Sequence, residues 1–174
     1  LIHPHWPARF GGGLSTDDAV REVVDYMLAV QRERPAVGFF IIVNFPLWGW
    51  KGQPSYVGNE FLGDYHPLVE KLISQSRERR APLGGWTVDF PRDYATGELR
   101  APWLAGPPWN PSSVDWIGRI LELEQFVKQS GLEFNLVIND GATGEKSQAE
   151  HNRATLDMLD RYQKRGGRPH RRGS

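Results

Sequence analysis

The connections in this 174-residue chain are lopsided, and that asymmetry constrains the fold more than any other feature. Short apolar runs rich in β-formers, Val37 to Phe45, Trp86 to Phe90 and Phe134 to Ile138, alternate with segments of helix period. A further strand stub is read at Leu1-Ile2-His3. Long stretches follow the strands, from Pro46 to Gly63 and from Pro91 to Pro111, whereas the links from helix back to strand are tiny: Pro35-Ala36, Ala81 to Gly85, and Gly131-Leu132. Long loops therefore gather at the carboxyl ends of the strands. In α/β proteins that edge carries the functional site, whether the sheet is open or closed.

Four segments carry helix period and helix punctuation. The first opens at Ser15 or Thr16 with Asp17 and Asp18 in its first turn, aligns Val20, Val23, Val24, Met27 and Leu28, and stops before Pro35. The second runs from Pro67 to Arg80 with Leu68, Val69, Leu72 and Ile73 as its stripe. The third starts at Ser112 or Ser113, carries Val114, Ile117, Ile120 and Leu121, and ends at Gly131. The fourth has capping-box spacing from Ser147 to Glu150, then Ala154, Met158, Leu159 and Tyr162 before Gly166. Because the strand runs are largely apolar on both faces, they read as parallel strands covered by helices. The predicted order is βαβαβαβα in one domain over 1–165, followed by a basic Gly/Arg tail over 166–174 that reads as disordered.

Charge and composition exclude several classes. Lys and Arg number 21, as do Asp and Glu, so the formal charge cancels and neither nucleic acid nor an acidic membrane is selected as a partner. No apolar run approaches the roughly 18 residues of a membrane span. The absence of cysteine removes a disulfide framework, a thiolate metal site and a Cys nucleophile, without fixing a compartment. The opening residues show neither a basic n-region nor a long apolar stretch, so no targeting segment is read there and localisation is left open.

Four βα units with their loops collected at one edge resemble half of the (β/α)8 or TIM-barrel superfamily, over roughly residues 1 to 165. A whole barrel usually takes about 250 residues. The resemblance thus implies a (βα)4 half-barrel of parallel strands with outer helices: a fragment, a natural truncation, or a half that completes an eight-stranded barrel by dimerisation, since open strand edges favour pairing. The alternative is a small open flavodoxin-like sheet, which would carry five strands and shorter loops.

In such a barrel the residues at the strand ends converge on one mouth: His3 and His5, then Asn44, then Asp89, then Asn139-Asp140. Asp89 closes an apolar strand, a setting suited to proton transfer, and a structural role capping loop amides or pairing with Arg92 is the alternative. Asn139-Asp140 resembles the Asn-Glu pair at the end of strand four in the large clan of retaining glycoside hydrolases. That resemblance implies Asp140 as the acid and Asn139 as the contact to a sugar hydroxyl. The chain departs from the family in having Asp for Glu, and it lacks the strand that supplies the family's nucleophile. Glycoside hydrolysis needs two carboxylates about 5 to 9.5 Å apart, so the second is Asp89 or comes from a partner chain. An Asn-Asp-Gly turn is the plainer reading of the same residues.

His3-Pro4-His5 resembles the His-x-His pair with which amidohydrolase-type barrels hold zinc, but His66, His151 and His170 are not placed to complete such a site. No cofactor is expected; a divalent ion such as calcium on Asp140, Asn139 and loop carbonyls is compatible with the sequence without a specific signature. Gly141 to Ser147 fails the phosphate-loop template, because its glycines are too close and Glu145 precedes Lys146. Five of the seven tryptophans, Trp6, Trp48, Trp50, Trp103 and Trp109, fall in loops after strands. With Lys51 and Tyr94 they make an aromatic and polar mixture suited to a saccharide or another small molecule, and welding the long loops onto the barrel mouth is the alternative reading for at least half of the tryptophans.

The functional expectation is a hydrolase acting on a carbohydrate or small glycoside. Asp89 and Asp140 form its acid pair, and His3, His5, Asn44, Trp48, Trp50, Lys51, Tyr94 and Asn139 contact the substrate. A metal-dependent ester or lactone hydrolase, or a non-catalytic carbohydrate-binding fragment, are the alternatives. A serine esterase is disfavoured by the absence of a G-x-S-x-G motif.

Overall fold

The computed structural model describes residues 15–45, 48–53, 63–89, 92, 114–138 and 147–168. They form α1 (Thr16–Glu33), β1 (Phe39–Val43), α2 (Tyr65–Arg79), β2 (Leu83–Val88), α3 (Trp116–Gln129), β3 (Glu133–Leu136) and α4 (Gln148–Lys164). The strands pair in parallel in the order β1-β2-β3. Strand order thus follows chain order, as it does around a barrel wall and also within one half of an open doubly-wound sheet. The fold is therefore α/β with a three-stranded parallel sheet and four helices among the described residues, compatible with part of a barrel. The strand expected at Leu1-Ile2-His3 lies outside the described residues.

Local chemistry sets the helix starts. The Ser15 side chain caps α1 by accepting from the Asp18 amide, and Ser147 and Glu150 form the expected reciprocal capping box at α4. Two starts differ from the sequence expectation. Helix α2 begins at Tyr65, two residues before Pro67, because Asp64 accepts from the His66 amide. Helix α3 begins at Trp116, later than the serines suggested, with Asp115 accepting from the Gly118 amide. In both cases an Asp supplies the cap. Within the expected tail, the Arg168 amide donates to the buried carboxylate of Glu124. That carboxylate also accepts from the Tyr162 hydroxyl and the Lys128 ammonium, joining the end of α4 to α3.

The register divides the sheet into two faces. Rows Ile41–Trp86–Phe134 and Val43–Val88–Leu136 lie under the helices. Trp86 and Phe134 are fully buried there, and the Trp86 indole N–H donates to the Tyr65 hydroxyl of α2 at 2.9 Å. The intervening row, Ile42–Thr87–Asn135, belongs to the other face. On that face the Phe40 ring lies over Gly85, where a Cβ would sit 2.7 Å from the ring and 2.2 Å from the Glu133 carbonyl oxygen. Glycine is thus required at this point of β2, and Gly84 is the extra residue of a bulge between pairs Phe39–Leu83 and Phe40–Gly85.

Candidate functional site at the carboxyl edge of the sheet

All three strands run the same way, so their carboxyl ends share one edge. The Asp89 amide donates to the Val43 carbonyl and the Val137 amide to the Val88 carbonyl, both at 2.9 Å. These bonds carry the register one step past the strands. Asn44, Asp89 and Val137 therefore form the next row, on the face shared with Ile42, Thr87 and Asn135. Asn44 and Asp89 are each half-buried. The Asn44 Oδ1 is shielded from solvent and accepts no hydrogen bond from any described residue, an arrangement that costs free energy unless a donor arrives. Arg92, three residues beyond Asp89, is also buried.

The loop after β1 is built tightly. Phe45 and Trp48 are joined by a backbone turn, Gly49 bonds to Gly63 and Tyr65, and Trp50 and Gln53 exchange hydrogen bonds across Lys51-Gly52. Lys51 and Gly52 both have positive φ, 47° and 75°, as a two-residue turn of the primed type demands. The Asp64 carboxylate holds this turn, accepting from the amides of Lys51 and Gly52 as well as His66. One side chain thereby fixes the loop and starts α2.

The aromatic residues of this loop face inward. Trp48 and Trp50 are each 2% exposed. Trp48 lies 4.7 Å from Tyr65 by ring centroids, and Trp50 makes edge contacts with Phe45 at 5.5 Å and His66 at 5.1 Å. As placed, they brace the loop rather than present an open ring face for stacking. Glu122 of α3 completes the link, accepting from the Trp50 indole at 3.1 Å and the Lys51 ammonium at 2.9 Å. Those bonds, that of Lys51 first, hold the Glu122 carboxyl below its ordinary value. Lys51 is thus engaged in an ion pair across the loop.

The structure brings Asn44 and Asp89 together and sets Trp48, Trp50 and Lys51 in the adjoining loop. The remaining expected site residues, His3, His5, Tyr94, Asn139 and Asp140, lie outside the described residues, as does the calcium arrangement on Asp140 and Asn139. Among the described residues no group of three or more His, Asp or Glu side chains is placed to hold a metal ion. Sequence reasoning missed Asp64, His66 and Glu122, which position the loop. Asp64 carried a readable signal, an Asp ahead of a helix beside a Gly, whereas Glu122 lies 72 residues from Trp50 and carried none. Comparison with protein-family models, curated proteins and solved structures finds no match.

Proposed function

We propose that the chain is a hydrolase acting on a carbohydrate or small glycoside at the carboxyl edge of its sheet. The observation that supports this most is the placement of Asn44 beside Asp89 at the ends of neighbouring parallel strands. A carboxylate next to an amide whose oxygen awaits a donor suits a hydroxyl-rich substrate: Asn44 accepts from a sugar hydroxyl while Asp89 moves the proton. In this reading Asp140 is the second carboxylate of the pair, and His3, His5, Lys51, Tyr94 and Asn139 line the mouth. Trp48 and Trp50 shape the site from beneath by holding its loop. The half-barrel closes by dimerising, which removes the open strand edges.

Initial rates on a panel of aryl glycosides, aryl esters and lactones, with and without EDTA, test the reaction. The expected result is glycoside turnover that ignores the chelator and falls by about 10²-fold or more in Asp89→Asn and Asp140→Asn. Turnover of an ester or lactone that stops with EDTA and returns with an added divalent ion contradicts it in favour of a metal-bound water. A silent panel accompanied by saccharide-dependent tryptophan fluorescence points instead to a binding fragment.

A further inference from the structure

Helix α4 buries less of itself than its neighbours do. Of its 17 residues only Ala154, Met158 and Tyr162 are buried, one side chain per turn, whereas α2 buries six of 15 and α3 six of 14. Leu156 on the same helix is 64% exposed. Packing of an apolar face supplies most of a helix's stability in a folded protein, so a stripe this narrow holds α4 weakly.

The helix is fastened at its end instead. The Gly167 amide donates to the Tyr162 carbonyl and the Gly166 amide to the Gln163 carbonyl, with Gly166 at φ 93°, which is a Schellman turn. The turn lays Gly167 against the Tyr162 ring, where a Cβ would come within 2.3 Å. That ring has no room to yield, because Tyr162 is fully buried and its hydroxyl donates to the Glu124 carboxylate of α3. The Arg168 amide then donates to both oxygens of Glu124, at 3.0 and 3.2 Å, and the Arg168 carbonyl accepts from the Lys128 ammonium. Just ahead of the turn, Arg165 pairs with both carboxylate oxygens of Asp115, the cap of α3. Residues 165–168 thereby grip α3 at its start and along its length.

Glu124 makes the grip all-or-none. It is 4% exposed, and its charge is satisfied only while the Tyr162 hydroxyl, the Lys128 ammonium and the Arg168 amide all point at it. A buried carboxylate that loses one donor is left with an unpaired oxygen at a cost close to that of full release. We propose that residues 165–168 are a strap, and that its release lets α4 come away as one unit while the sheet and α1 to α3 stay folded. The strap goes beyond the hydrolase reading and does not depend on it, since it rests on α3 and α4 alone.

Native-state amide hydrogen exchange on the full chain tests it. The amides of 152–164 are expected to share one rate, about ten-fold or more faster than those of Trp86 and Val88 in β2. Gly167→Ala drives a methyl group into the Tyr162 ring, and Glu124→Gln removes the charge on which the donors converge. Each is expected to speed the α4 amides by about ten-fold or more while moving Trp86 and Val88 by less than about three-fold. Should Gly167→Ala fail to fold, Glu124→Gln and the wild-type rates decide. Amides of α4 that exchange at the β2 rate, or that fray one after another from the helix end, overturn the proposal. Equal acceleration of α4 and β2 in the variants does so too, because it makes α4 part of a single cooperative unit, and so does an α4 indifferent to both substitutions.

Discussion

Tyr65 and Trp86 meet where α2 crosses the sheet, and their hydrogen bond shows how individual residues set the geometry of the edge above. Burial pushes the Tyr65 phenol up, so it stays protonated and its oxygen is a fixed acceptor for the indole. Tyr65→Phe leaves the Trp86 N–H buried without a partner and is expected to cost about 1 to 3 kcal/mol in urea denaturation; a loss within error would mean that water or a neighbour replaces the acceptor. Some residue roles were legible beforehand. Ser15 and Ser147 carry their capping signals in adjacent residues, and both cap as expected. The particular contacts of Trp48 and Trp50 were not, because their partners Tyr65, His66 and Glu122 come from two later helices. Loop position alone does not tell a tryptophan that stacks on a ligand from one that anchors a loop.

Between elements, a few polar clips hold the helices in register. At the start of α3, Asp115 pairs through both carboxylate oxygens with Arg165 at the end of α4. Those hydrogen bonds, ahead of the contribution from the Gly118 amide, hold the Asp115 carboxyl below its usual value. A carboxyl depressed in the folded state stabilises it above the unfolded pKa, and this contribution is lost as pH falls through the folded value. Thermal melts are therefore expected to show a loss of stability below about pH 4 that is smaller in Asp115→Asn; an unchanged acid slope in that variant would contradict the assignment. Both groups are largely exposed, so the effect is modest. The elements themselves were readable from periodicity, and their ends were not always. β2 starts at Leu83, three residues ahead of the apolar run, because Gly84 and Gly85 fit under Phe40 despite poor strand propensity.

At the scale of the whole molecule, strand order and loop asymmetry agree. The short helix-to-strand links enter the sheet at one end, and Asn44 and Asp89 adjoin at the other, where the strands finish. That much of the architecture was legible in loop lengths and hydrophobic period. The register between strands was not, since pairing leaves no local mark in either one, and the bulge at Gly84 shows only in the structure. If two half-barrels close together, light scattering is expected to give a mass near twice 19.8 kDa that persists on dilution; a monomer at every concentration would sink the dimeric closure.

On the function proposed above, substrate meets the protein at the carboxyl edge of the sheet. Mapping amide and Asn side-chain NMR shifts during titration with an aryl glycoside tests it most directly. Perturbations are expected to centre on Asn44, Asp89 and Val137, with Phe39, Leu83 and Glu133 at the opposite end of the strands unmoved. Shifts concentrated at that opposite end, with Asn44 and Asp89 unaffected, would contradict it.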